Sequence, residues 1–274
     1  MPVFEWGQHK LYYEQSGSQE GSRLLFLHGF LGRGDDFRPV GDALADFCCL
    51  AVDLPGHGQT LMGKGPYDML EISEGLVQLL KSLDYLPCSL VGYSMGGRLA
   101  LLMAYHFPQY FSGILLASAS PGLETEAERS RRRRQDEALA IEIETSTWPE
   151  FVRRWYAQPL FSGLQSLRDP EAFLQKRFEN CPAELARSLR SMGTGTQPSL
   201  WDALPHICLP ITLVVGALDA KFLALNQRML KRTTAQLWVI PNCGHMVHLE
   251  AIAEFVKIVR HSALRSSPSA LSQE

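Results

Sequence analysis

The chain has 274 residues, 46% of them apolar and 20% charged, which is ordinary globular usage and excludes wholesale disorder and fibrous repeats. The length fits either one domain or one domain with a sizeable insertion. With 26 basic against 29 acidic side chains the net charge is -3, so no electrostatic excess demands a polyanion, and a nucleic-acid partner is not expected.

Short runs of Leu, Val and Ile recur at 24–27, 49–52, 89–92, 114–117, 211–215 and 237–240. Each is four or five residues long and lacks alternation, as expected of strands buried on both faces. Helical spacing separates them: 69–83 sets Met69, Ile72, Leu76, Leu79, Leu80 and Leu83 on one stripe, and 98–107 and 252–264 behave alike. Strands alternating with helices predict a parallel sheet with crossover helices. The alternation stops after Ser120. From 121 to about 200 only helical patterns appear, at 126–144, 148–158, 170–180 and 184–192, and they predict an all-helical cap over the carboxyl edge of the sheet. The organisation is then a core of 1–120 and 201–264, a cap of 121–200 and a disordered tail of 265–274.

No apolar run approaches the roughly 18 residues that a membrane span needs, so no membrane insertion is expected. Glu5 stands where a secretory signal would be basic and then apolar, so export is not expected either. The six cysteines, Cys48, Cys49, Cys88, Cys181, Cys208 and Cys243, are scattered without a C-x-x-C pair. Several lie in apolar runs and read as reduced, buried hydrophobes, and no Cys/His spacing suits a metal. A reduced, cytoplasmic protein is the expectation.

The most specific feature is LVGYSMGGR at 90–98, a G-x-S-x-G between a buried-strand pattern and a helical one. Such a strand-to-helix turn forces Ser94 into a strained backbone conformation, and side chains at Gly92 or Gly96 would collide there. A serine hydroxyl needs a positioned imidazole to take its proton. In sites of this kind the acid and then the histidine follow the serine in the chain. Asp219 ends the strand pattern ITLVVGALD, and His245 follows Gly244 after LWVIPNC. Asp53 also ends a strand pattern, but it precedes the serine and reads as a turn former. His248 falls in a predicted helix at 247–264, where it would pack or cap, and His28 and His57 read as loop-shaping residues. HGFLG follows the first buried run, so the oxyanion donors are the backbone amides of Phe30 and Met95.

Taken in order, HGFLG, DLPGHG, GYSMGG, GALD and GHMVHLE resemble the α/β-hydrolase superfamily over nearly the whole chain. The resemblance implies an α/β-hydrolase fold: a mostly parallel central sheet flanked by helices, with the helical cap inserted. Arg98 after GYSMGG, SPGLE at 120–124, the ER-x-x-RR-x-x-D pattern at 128–136, WYAQPLF at 155–161 and D-x-K-F at 219–222 narrow it. Together they resemble the MenH family, the 2-succinyl-6-hydroxy-2,4-cyclohexadiene-1-carboxylate synthases of menaquinone and phylloquinone biosynthesis. That implies a carbon–oxygen lyase eliminating pyruvate from the 5-enolpyruvyl precursor, with no metal or organic cofactor.

The implied substrate is a small polycarboxylate, and the arginines suit it. Arg98 begins the helix behind the serine and either meets a carboxylate or packs. The run 129–134, RSRRRR, is neutralised by Glu124, Glu126, Glu128, Asp136 and Glu137, so it reads as a mixed-charge helix. At least one of Arg129, Arg132 and Arg133 is expected to face the pocket. Trp155 and Tyr93 each read as a pocket wall or as buried packing. A monomer is expected, with a homo-oligomer as the alternative. Two rival functions share this fold: a carboxylic-ester or C–C bond hydrolase with the same triad, and a non-enzymatic ligand receptor. Neutral esters need no arginines, and a receptor would bind without turnover.

Overall fold

The computed structural model describes residues 2–265. Arg265 closes the last helix, and the rest of the expected tail, 266–274, lies outside the described residues.

Eight strands form one sheet: β1 (Val3–Trp6), β2 (His9–Gly17), β3 (Arg23–Leu27), β4 (Cys48–Val52), β5 (Cys88–Tyr93), β6 (Phe111–Ala117), β7 (Ile211–Gly216) and β8 (Gln236–Ile240). Their spatial order is β1-β2-β4-β3-β5-β6-β7-β8. The six strands read from the sequence pair in parallel from β4 to β8. The two N-terminal strands, for which the apolar runs give no signal, add antiparallel pairs at one edge. Their exposed positions interrupt the apolar pattern: β1 is exposed or half-buried throughout.

Helices cover both faces. They are α1 (Arg38–Ala43), α2 (Met69–Ser82), α3 (Met95–His106), α4 (Glu126–Thr145), α5 (Trp148–Tyr156), α6 (Pro170–Phe178), α7 (Pro182–Met192), α8 (Ala220–Leu230), α9 (Val247–Glu250) and α10 (Ile252–Arg265). Alternate strand residues serve opposite cores, as a two-residue side-chain period requires. Leu25, Leu27, Leu50, Val52, Leu90, Leu116 and Leu213 pack with Ile72, Leu76 and Leu79 of α2 and Leu99 and Leu102 of α3. Leu24, Phe26, Cys49, Val91, Leu115 and Val214 pack with Val40 of α1 and Phe255 and Val259 of α10. The four helices α4 to α7, all within the segment between β6 and β7, join the second core through residues such as Ile143, Phe151, Phe173 and Leu189. Four of the cysteines, Cys48, Cys49, Cys88 and Cys243, are buried, while Cys181 and Cys208 are exposed.

The helix expected over 247–264 is two helices. Ala251 adopts φ -137° and ψ 56° between α9 and α10, a non-helical conformation that ends the first before the second begins. Among the described residues no helix is long and apolar enough to cross a membrane.

Side-chain caps set the starts of α2 and α4, among others. Asp68 accepts the Leu70 and Glu71 amides ahead of α2, and Thr125 and Glu128 form a capping box ahead of α4. Asp68→Ala is expected to lower unfolding stability by about 1 kcal/mol in urea titration. An unchanged midpoint would count against the cap.

Candidate active site

The strand-to-helix turn after β5 is built from close backbone contacts. A Cβ at Gly92 would sit 2.5 Å from the Gly96 carbonyl oxygen, and one at Gly96 would sit 2.1 Å from that of Leu27. Neither approach leaves room for a methyl group, so α3 lies directly on β5 and β3. Between the two glycines Ser94 takes φ 51° and ψ -108°, a region that side-chain-bearing residues rarely adopt. The strain lifts its hydroxyl above the carboxyl edge of the sheet.

The acid and the histidine arrive on neighbouring strand ends. Gly216 closes β7 so near the following loop that a Cβ would lie 2.1 Å from the Gly244 oxygen, and the Leu218 amide donates to Cys243 O at 2.9 Å. These contacts hold the Asp219 and His245 loops together. Asp219 is buried, and its Oδ1 accepts the Phe222 amide (3.2 Å) at the start of α8. His245 Nδ1 lies 2.6 Å from Asp219 Oδ2, and Nε2 lies 3.3 Å from Ser94 Oγ. An ionised Asp219 accepts the Nδ1–H, which leaves Nε2 to accept the serine proton. The Ser118 hydroxyl donates to the His245 carbonyl at 2.9 Å.

Phe30 and Met95 both line the cavity beside Ser94. Met95 is the first residue of α3, so its amide has no acceptor within the helix. Among the described residues neither amide donates to a protein acceptor. The loop carrying Phe30 is held by His28: Leu54 N–H donates to its Nε2 (2.8 Å), and its Nδ1 bonds the Gly29 oxygen (2.7 Å). Asp53 accepts the Gly34 and Gln59 amides, and His57 Nδ1 bonds the Pro55 oxygen. His28 and Asp53 therefore tie loops together, and His57 shapes its own turn.

The cavity above the serine has a volume of about 330 Å³. Tyr93, Phe161, Phe222 and Trp155 give it apolar walls, and the Tyr93 ring lies 5.3 Å from that of His245. Its charged wall is made of Arg98, Arg132 and Lys221. Arg98 is 8% exposed and donates to Gln197 Oε1 and Met192 O, both at 2.9 Å. It forms no ion pair among the described residues, and burial, reinforced by Arg132, pulls its pKa down to about 10. A buried cation with only neutral acceptors is an electrostatic deficit that a carboxylate from outside would fill. Arg132 is tied through Nε to the buried Asp136 at 2.7 Å. Burial and then Arg132 also lower the Lys221 ammonium from its usual value.

Of the three insertion arginines, the structure brings only Arg132 to the cavity. Arg129 bonds Glu126 and the Leu123 and Glu124 carbonyls, and Arg133 bonds Glu126 and the Gly195 carbonyl. Glu126 stands one helical turn before Arg129 and two before Arg133, and draws both to the outer side of α4. Lys221 belongs to the D-x-K-F pattern but carries no charge partner in sequence that would mark it. It reaches the cavity because Asp219 starts α8 immediately before it.

At the far side Arg177 pairs with Asp36 at 2.7 Å, stacks on Phe173 at 3.7 Å and donates to Tyr156. Burial works to raise the Asp36 carboxyl, and the Arg177 guanidinium overrides it and holds the group below the usual carboxylate range. His248 packs between Phe37 and Tyr93.

The comparisons agree with this geometry. The alpha/beta hydrolase family pattern matches residues 24–258. The 2-succinyl-6-hydroxy-2,4-cyclohexadiene-1-carboxylate synthase of Enterobacter sp. (strain 638) is 36% identical over 228 residues, covering 83% of this chain and 86% of its own. The protein of the same description from Escherichia coli O1:K1 / APEC is 34% identical over 243 residues, covering 86% and 93%. The solved structure described as MenH from S. aureus superposes with a TM-score of 0.87 at 29% identity, covering 95% of this chain and 99% of that one. A thermophilic esterase from Thermogutta terrifontis, at 22% identity and a TM-score of 0.77, shares the fold alone. The chain belongs to the alpha/beta hydrolase family and, within it, to the 2-succinyl-6-hydroxy-2,4-cyclohexadiene-1-carboxylate synthases.

Two buried histidines predict the acid limit of this fold. Burial above all holds His57 and His248 neutral, with pKa values lowered from 6.5 to about 3. Between those values the unfolded chain binds the protons and the folded chain does not. Stability therefore falls as pH drops below about 6, by about 1.4 kcal/mol per unit for each histidine. Urea unfolding between pH 6 and pH 4 is expected to show this slope, flattened by about that amount in His248→Gln. An identical slope in the variant would contradict it.

Proposed function

We infer that this chain is a carbon–oxygen lyase, removing pyruvate from 2-succinyl-5-enolpyruvyl-6-hydroxy-3-cyclohexene-1-carboxylate to give 2-succinyl-6-hydroxy-2,4-cyclohexadiene-1-carboxylate. The reaction belongs to menaquinone biosynthesis. The observation that carries the reading is the buried Arg98 beside Ser94, without an ion pair among the described residues, because the substrate is a tricarboxylate and an ester hydrolase has no use for that charge. Arg132 and Lys221 extend the positive wall.

The triad serves as a base relay. His245, oriented by Asp219, takes the Ser94 proton, and the serine oxygen removes the ring proton next to the succinyl ketone. Charge moves to the ketone oxygen, where the Phe30 and Met95 amides are positioned to donate. Collapse of the enolate restores the ketone, forms a double bond between C2 and C3, shifts the existing C3–C4 double bond to C4–C5 and breaks the C5–oxygen bond, so that enolpyruvate leaves and takes up a proton to become pyruvate. No acyl-enzyme forms. Helices α4 to α7 act as a cap that shields these charges from water. We place the enzyme in the cytoplasm as a monomer, consistent with the lack of a membrane-spanning helix among the described residues.

Ser94→Ala and His245→Ala are each expected to lower enzyme-dependent pyruvate release by about three orders of magnitude or more. Arg98→Ala is expected to lower kcat/KM for the tricarboxylate about 100-fold while leaving p-nitrophenyl acetate cleavage within a fewfold of wild type. Near-wild-type pyruvate release from either triad variant would remove the base relay. An Arg98 variant equally impaired on both substrates would return the site to the hydrolases.

A further inference from the structure

The reaction scheme leaves one carboxylate beside the histidine unused. Glu250, the last residue of α9, folds its side chain back over the loop: Oε2 accepts the Gly244 amide at 2.6 Å and Oε1 accepts the Met246 amide at 2.9 Å. These amides stand immediately before and after His245. With Ser118 holding the His245 carbonyl, the main chain is pinned at three successive residues. Hydrogen bonds to an ionised acceptor are roughly twice as strong as neutral ones, so the two carboxylate contacts dominate this anchoring.

The helical insertion presses on the same carboxylate. The 3-10 turn Pro159–Ser166 packs on α9. A Cβ on Gly163 in that turn would lie 2.1 Å from both Cδ and Oε2 of Glu250. Any side chain there displaces the carboxylate, since its flexible end is the part that moves. Phe161 of the same turn sets its ring 6.0 Å from the His245 ring.

We propose that Glu250 is a positioning residue for His245: its carboxylate fixes the main chain on both sides of the histidine and so holds Nε2 within reach of Ser94 Oγ, and Gly163 keeps that carboxylate seated. The inference rests on His245 acting as the base, not on the identity of the substrate. The Nε2 to Oγ distance of 3.3 Å is already at the long end of hydrogen-bond reach, so a small retreat of the loop would break the relay.

The test combines three variants with two readouts. Glu250→Gln keeps the shape but leaves one acceptor oxygen for two amides, and Glu250→Ala removes both. Pyruvate kcat is expected to fall about 10-fold in the first and about 100-fold in the second, with KM within about twofold of wild type. The far-downfield proton resonance of His245 Nδ1–H is expected to shift or broaden in both. Gly163→Ala is expected to lower kcat in the wild-type background and to add nothing in the Glu250→Ala background, because the two changes act on one group. Unchanged kcat with an unchanged resonance would overturn the proposal, as would multiplicative effects of Gly163→Ala and Glu250→Ala. If Glu250→Ala does not fold, Glu250→Gln and Gly163→Ala, alone and combined, decide the matter. If the wild-type chain releases no pyruvate, the substrate reading fails, and the proton resonance of the variants still decides the role of Glu250.

Discussion

A helix can lie flat on the end of a strand only where nothing projects between them, and at the carboxyl edge of this sheet that condition rests on Gly92 and Gly96. With both Cβ positions empty, α3 begins directly above β5, and the single residue at the bend must absorb the change of direction. Ser94 does so at positive φ, at a cost of order 1–3 kcal/mol that the surrounding sheet overrides. The rest of the site depends on this placement. It frees the first amide of α3, brings Arg98 one turn later into the cavity, and puts Oγ where two further strand ends converge. Asp219 and His245 come from β7 and β8, on one side of β5, while Phe30 comes from β3 on the other. Only the parallel order of the strands gathers all four at one edge.

The same constellation supports many reactions, and the electrostatics of the cavity select among them. An ester hydrolase needs a nucleophile, an oxyanion site and apolar walls. Here the walls include a buried guanidinium satisfied by an amide oxygen and a carbonyl, with no carboxylate among the described residues paired to it. Contrast Arg177 on the opposite wall, which is also buried but has its charge balanced by Asp36, with Phe173 and Tyr156 beside it and only Nη1 lacking a hydrogen-bond partner among the described residues. The first arginine keeps a charge that no carboxylate among the described residues pairs with, whereas the charge of the second is already balanced. That difference decides more about chemistry than the triad does.

Much of this was legible in the residues themselves. Parallel strands buried on both faces advertise themselves as short apolar runs, and all six in the core read correctly. The N-terminal strands β1 and β2 did not, because their exposed positions dilute the apolar signal, and neither did α8. The serine turn, its glycines and the order of acid and histidine are local in sequence and were readable with them. What escaped was set by distant partners. Nothing near Arg98 announces that Gln197 and Met192 would be its acceptors, or that Glu126 would draw Arg129 and Arg133 away from the cavity. Lys221 stood in a recognised pattern without a role, since the face that α8 turns to the cavity is fixed by the Asp219 cap. The break at Ala251 is a local backbone conformation that no helical periodicity encodes.

The central claim is that this triad abstracts a proton from a polycarboxylate instead of acylating itself on an ester. The most direct measurement is pyruvate release by the wild-type protein from the enolpyruvyl substrate generated in situ, coupled to NADH oxidation, with the spontaneous rate subtracted and p-nitrophenyl acetate run alongside. The account predicts fast, enzyme-dependent pyruvate formation and sluggish ester cleavage. Pyruvate at the background rate with brisk ester cleavage would contradict it, leaving the triad in place but making the protein a hydrolase.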